Sequence, residues 1–134
     1  MKVLIIDGQG GGLGRQLVVA VQERFPDIEV LAVGATSTAT GAMPRAGADQ
    51  AATGENAVLV ASRRADVIMG PIGIVIADAM LGENTPVMAA AAGQSDAKRI
   101  LLPVGQGDNI IAGVRDMAMA KMVQEAVELL AGWV

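Results

Sequence analysis

Residues 2–33 read KVLIIDGQGGGLGRQLVVAVQERFPDIEVLAV, and this stretch decides the fold. Lys2–Asp7 is a continuous apolar run of strand length, the pattern of a parallel strand buried on both faces. Five glycines then fall within the seven positions from Gly8 to Gly14. From Leu13 to Phe25 the apolar residues 13, 17, 20, 21 and 25 recur at helical spacing until Pro26 stops them. Ile28–Val33 is a second strand, closed by Gly34. Strand, glycine loop, helix and strand make a βαβ unit.

Further along, Thr36-Ser37-Thr38 can cap a short helix over 38–43, cut by Pro44. AGADQAATG, residues 46–54, has room for a short third strand. Glu55–Arg64 reads as a helix, with a carboxylate at its start and two arginines at its end. Asp66–Gly70 is a strand before Pro71. Ile72–Leu81 has β-branched residues that suit a strand, but its length and Gly82 favour a helix. Thr85-Pro86 opens a helix with a hydroxyl cap and proline in the first turn. Arg99–Val104 and Asn109–Val114 read as strands. Apolar residues 119, 122, 123, 126, 127, 130 and 133 mark an amphipathic C-terminal helix. Alternating strands and helices give one α/β domain over 1–134, a three-layer Rossmann-like sandwich. Its sheet is mostly parallel, with about five or six strands.

Composition removes whole classes of chemistry. The 134 residues contain no His, Cys or Tyr, so Ser-His-Asp and Cys-His nucleophiles and His or Cys metal sites are out. Acid–base work would fall to Asp, Glu or Lys. A net charge of −4 without a basic cluster argues against nucleic-acid binding. The longest apolar stretch, residues 67–77, is too short for a membrane span, and the N-terminus lacks a secretion signal. A cytoplasmic protein without membrane association is expected. Hydrophobic residues reach 52% although Phe25 and Trp133 are the sole aromatics. That balance leaves apolar surface for a second copy, and a homo-oligomer is expected. Its interface would use the C-terminal helix or the helix after Pro86.

A glycine turn between a strand and a helix aims backbone N–H groups and the positive helix end at one point, where phosphate fits. The G-x-G-x-x-G spacing fails from Gly8, because its sixth position is Leu13. G-x-x-x-G-x-G fits at Gly8, Gly12 and Gly14 and resembles the loop of short-chain dehydrogenases. G-x-G-x-x-x-G also fits, at Gly8, Gly10 and Gly14. No Walker-type loop exists. Short-chain dehydrogenases take their proton from a Tyr, which this chain lacks, so their chemistry is excluded. The candidate cradle is Asp7, Gly8, Gln9, Gly10, Gly11, Gly12, Leu13 and Gly14. NAD-binding sites place a carboxylate after the second strand. Here Thr36, Ser37 and Thr38 stand there, compatible with a 2′-phosphate that Arg45 would reach by folding back, so NADP is favoured over NAD. The same hydroxyls serve equally well as a helix cap. Gly70 and Pro71 would close the crevice from the fourth strand. Other α/β carboxyl-edge candidates are weaker: Asp7 as a Mg²⁺ ligand, and Asp78, more readily explained by an ion pair with an Arg.

The segments IDGQGGGLG, AGADQAATGEN, ADVIMGPIGIVIADAMLGE and GQSDAKRILLP together resemble a family of small bacterial proteins known only as a domain of unknown function. The resemblance spans about residues 1–115 and implies a compact Rossmann-like domain without an assigned activity. Pro44 departs from its pattern. The expectation is a nucleotide- or dinucleotide-binding protein that acts as a sensor or binding subunit on a small phosphate-bearing ligand. Two alternatives stand beside it. One is an enzyme completed by oligomerisation, with Asp7, Asp78 or Glu83 as base or Mg²⁺ ligand. The other is an assembly protein whose glycine loop only packs.

Overall fold

A computed structural model describes the whole chain, Met1–Val134. Five strands, β1 Lys2–Asp7, β2 Glu29–Gly34, β3 Gln50–Thr53, β4 Val67–Pro71 and β5 Lys98–Leu102, form one sheet ordered β3-β2-β1-β4-β5. Every pairing is parallel. Five α-helices follow the strands: α1 Gly12–Arg24, α2 Ser37–Arg45, α3 Glu55–Arg64, α4 Pro86–Gln94 and α5 Met119–Ala131.

The period-two alternation of the strands divides the core between two faces. Val3 and Ile5 of β1, with Val30, Ala32, Val67 and Met69, pack against Leu13, Leu17, Val18 and Val21 of α1 and Val123, Val127 and Leu130 of α5. Met43 of α2 joins this face. Leu4 and Ile6, with Leu31, Val33 and Ile68, pack against Val58 of α3 and Met88 and Ala92 of α4. The chain thus winds outward from β1 to β3, returns through α3 and continues on the other side of β1. The direction reverses between β1 and β4, and that reversal places a crevice at their carboxyl ends.

Two expected elements do not form. Ile72–Leu81 makes only a 3-10 turn, Ile72–Val75, followed by tight turns. The reason lies in Asn84, whose buried side-chain amide donates to the carbonyls of Gly73, Ile74 and Ile76. Those contacts hold the chain in turns with left-handed φ at Asp78, Met80 and Leu81, which a right-handed helix cannot contain. Asn109–Val114 is a loop instead of a strand. Gly105, Gly107 and Gly113 adopt left-handed φ of 71°, 60° and 82° around it, and Ile110 is 96% exposed. α2 starts one residue earlier than its predicted range and takes Pro44 into its last turn, with Thr36 as its cap.

Candidate functional site

The crevice opens because strand pairing stops unevenly. β1 and β4 are in register up to Ile5↔Met69, whereas β4 and β5 continue to Pro71↔Leu102. A cavity of about 220 Å³ lies in the gap. The loop Asp7–Leu13 forms one side, and Pro71, Met80, Val104, Gly105 and Met119 form the other. Sequence reasoning named the first side and Pro71. It missed Met80, Val104, Gly105 and Met119, of which only Gly105 had a signal, in the Gly-Gln-Gly that follows β5.

The five loop glycines divide into two kinds. A Cβ on Gly8 would lie 2.7 Å from Met80 Sδ, and one on Gly14 would lie 2.7 Å from Met43 Sδ and 2.9 Å from Asp7 Cβ. Gly11 has φ +75° and would place a Cβ 2.8 Å from the Ala39 backbone. Gly11 and Gly14 are glycine because the fold requires it, and Gly8 is closed in by the flexible end of Met80. Gly10 and Gly12 differ: a Cβ on either meets nothing within 4 Å, and neither has positive φ.

The loop's N–H groups divide in a similar way. Asp7, buried at 5% exposure, accepts from Gly8 N–H at 2.8 Å and from Gly14 N–H at 2.7 Å. Gly14 is the third residue of α1, and Gly11 offers no side chain, so Asp7 supplies the helix cap from below. Gln9 N–H donates to Glu83 Oε1 at 2.7 Å, and Gly11 N–H to the Gly8 carbonyl at 3.1 Å. The N–H groups of Gly10, Gly12 and Leu13 find no acceptor within the chain. Three donors without an acceptor in the chain therefore belong to residues that line the cavity at the positive end of α1.

Burial raises the pKa of Asp7 above its ordinary 3.8. The Gly14 and Gly8 N–H groups pull it down by less, and Glu83 pushes it further up. A carboxyl whose pKa rises on folding contributes stability below 3.8 and loses it as pH climbs through its folded value. Asp7→Asn removes that titration. The stability of the variant relative to the parent should therefore rise with pH above 3.8 and then level off. Urea unfolding between pH 4 and 8 measures it, and a flat difference would contradict the burial argument.

The remaining candidates scatter. Thr36 Oγ1 caps α2 by accepting from Ala39 N–H at 3.1 Å and donates to the Gln9 carbonyl at 3.0 Å, which ties α2 to the loop. Ser37 and Thr38 are exposed in the first turn of α2 and lie outside the cavity lining. Arg45 sits in the last turn of α2, about 12 Å along the axis from Ser37 at 1.5 Å per residue, and does not fold back. Gly70 is buried in β4 with its bare α-carbon against the Ile6 carbonyl. Asp78 is exposed and makes no ion pair; the chain's single salt bridge joins Arg24 and Glu128. Asp7 and Glu83 do meet at the loop, but no group of three His, Cys, Asp or Glu that could hold a metal ion forms.

The two largest of the concavities described, about 920 Å³ between α1 and α5 and about 510 Å³ between α3 and α4, are grooves lined chiefly by helix side chains. Helix interiors keep their N–H groups in their own ladders, so these grooves lack the converging donors of the loop. No helix is long and apolar enough to cross a membrane.

No curated protein matches the chain. Among solved structures, a dodecameric FMN-dependent Ubix-like decarboxylase from Escherichia coli O157:H7 is similar to it at 20% identity. The TM-score is 0.48, over 98% of this chain and 76% of that one, a likeness too slight to bear on the ligand. The segments quoted from the glycine loop to GQSDAKRILLP belong to a longer match: residues 2–134 fit the model of the Domain of unknown function DUF3842, and the chain belongs to that family.

Proposed function

We propose that the protein binds a small phosphate-bearing ligand, a nucleotide, with a phosphate on the N–H groups of Gly10, Gly12 and Leu13. The observation that supports this reading is the pair Gly10 and Gly12, where neither packing nor φ demands glycine. A missing side chain there keeps the donors open to a ligand. Phosphate suits such a place at a helix N-terminus. The cavity of about 220 Å³ is smaller than the pockets of about 300–1,000 Å³ that enclose ligands. It suits a phosphate group, with the rest of the ligand over the carboxyl end of β2. Ser37 and Thr38 would meet the ribose there. The lack of a carboxylate at that point favours NADP over NAD if the ligand is a dinucleotide.

The proposed role is a sensor or binding subunit. Exposed Val87 on α4, Leu129 on α5 and Trp133 support association with further copies. A Mg²⁺ centre on Asp7 is less favoured, because both Asp7 oxygens already accept N–H groups and capping of α1 would be given up.

Thermal-shift measurements with ADP, GTP, NADP, NAD and sugar phosphates test the proposal. A ligand at 100 times its Kd should stabilise the fold by about 2.7 kcal/mol. An unchanged melting curve with the whole set would contradict it.

A further inference from the structure

The segment from Ile76 to Asn84 lies over the glycine loop as a strap. Asn84, 1% exposed, anchors its end through the three carbonyl contacts described above. Asp78 N–H returns to the Asn84 carbonyl at 2.7 Å, and Glu83 N–H to the Met80 carbonyl at 3.2 Å. Between them Asp78, Met80 and Leu81 hold left-handed φ of 63°, 58° and 56°, a conformation unfavourable for L-residues with side chains. Leu81 projects fully into solvent, while Met80 covers Gly8.

Glu83 is the working end of this strap. Its Oε1 takes the Gln9 N–H at 2.7 Å, the donor next to the three unpaired ones. No Lys or Arg pairs with it, and the charge that faces it is Asp7, another carboxylate. An anion on Gly10, Gly12 and Leu13 would stand beside a carboxylate already on the same loop, which like-charge repulsion opposes. The strained turn offers a way to move aside.

Building on the phosphate reading, we propose that Glu83 is an internal competitor. Its carboxylate occupies the Gln9 end of the anion loop, and a phosphate-bearing ligand must displace it and open the strap. Strap strain and charge repulsion then set the affinity of the site.

Calorimetric titration of wild type, Glu83→Gln and Glu83→Ala with inorganic pyrophosphate and with ADP tests this. Glu83→Ala should bind at least about ten-fold tighter, the scale of one hydrogen bond to a charged group, and Glu83→Gln, which keeps a neutral acceptor, tighter by a smaller factor. Binding by the variants alone would support the proposal equally. Wild-type binding with equal or weaker binding by both variants would overturn the strap and leave the phosphate site standing. No binding by any of the three would overturn both. On the wild type itself, saturating ADP should shift the Glu83 carboxyl-carbon resonance as Gln9 N–H is released. A resonance that stays put while ADP binds would overturn the competition.

Discussion

Gly70→Ala should destabilise the protein by about 3–5 kcal/mol, in the range where backbone conflict in a core exceeds ordinary overpacking. The added methyl would stand 2.3 Å from the Ile6 carbonyl oxygen and 3.2 Å from Ile74 Cδ1. The first of these neighbours is backbone in the central strand, where β1 pairs with both β2 and β4, so it has little freedom to withdraw. The second belongs to the 3-10 turn just before the strap. Accommodation would require β1 and β4 to separate earlier, widening the crevice and uncovering Leu4 and Ile68. Chemical denaturation measures the loss, and a cost under about 1 kcal/mol would show that the strands already part freely here.

Asn84→Leu comes next, at about 3 kcal/mol, from three side-chain contacts, two of them buried and one partly, at roughly 1 kcal/mol each. The amide has two hydrogens for the carbonyls of Gly73, Ile74 and Ile76, at 2.9, 3.0 and 2.9 Å. Leucine fills a similar volume but donates nothing. The Gly73 and Ile76 carbonyls keep a second donor, from Ile76 and Ala79 N–H, which holds the penalty below that of three orphaned acceptors. The variant should also free the strap, so amide exchange at residues 78–83 should speed up more than exchange in β1. Uniform acceleration through the chain would mean that Asn84 supports the whole fold instead of this segment.

These two residues mark where sequence reading ends. Local signals were strong where one element answers to its own periodicity or caps. β1 with its loop and α1, the helix Glu55–Arg64, the Thr85-Pro86 start of α4 and the amphipathic α5 all follow from residues within one turn or strand. Thr85 does accept from Met88 N–H at 3.2 Å, as its place before proline suggests. Where a distant group competes, the local pattern misleads. Ile72–Leu81 has the length of a helix, but Asn84 ties its carbonyls into turns with left-handed residues. Asn109–Val114 has the composition of a strand, but β5 is left as an edge and the flanking glycines turn the chain away from it.

The site was legible to a similar depth. The loop Asp7–Leu13 could be placed because a glycine run after a buried strand has one position in a parallel sheet. Which glycines serve packing and which leave space could not be read, because Met43, Met80 and Ala39 approach from remote parts of the chain. Glu83 stood among the candidate carboxylates, yet nothing in GENTP indicates that it reaches the Gln9 N–H. Thr36 was open between a cap and a ribose contact, and its hydroxyl caps α2 and holds the loop at Gln9.

The measurement closest to the central claim is Gly12→Val, melted with and without the nucleotide that stabilises the parent. A Cβ there meets nothing within 4 Å, and valine replaces glycine at the first position of α1, so the unliganded melting temperature should stay within a few degrees of the parent. The branched side chain would cover the N–H groups of Gly12 and Leu13, so the ligand-induced shift should vanish. A variant that unfolds would make Gly12 a packing residue, and one that keeps the full shift would place the ligand elsewhere; either result contradicts the glycine loop as the binding site.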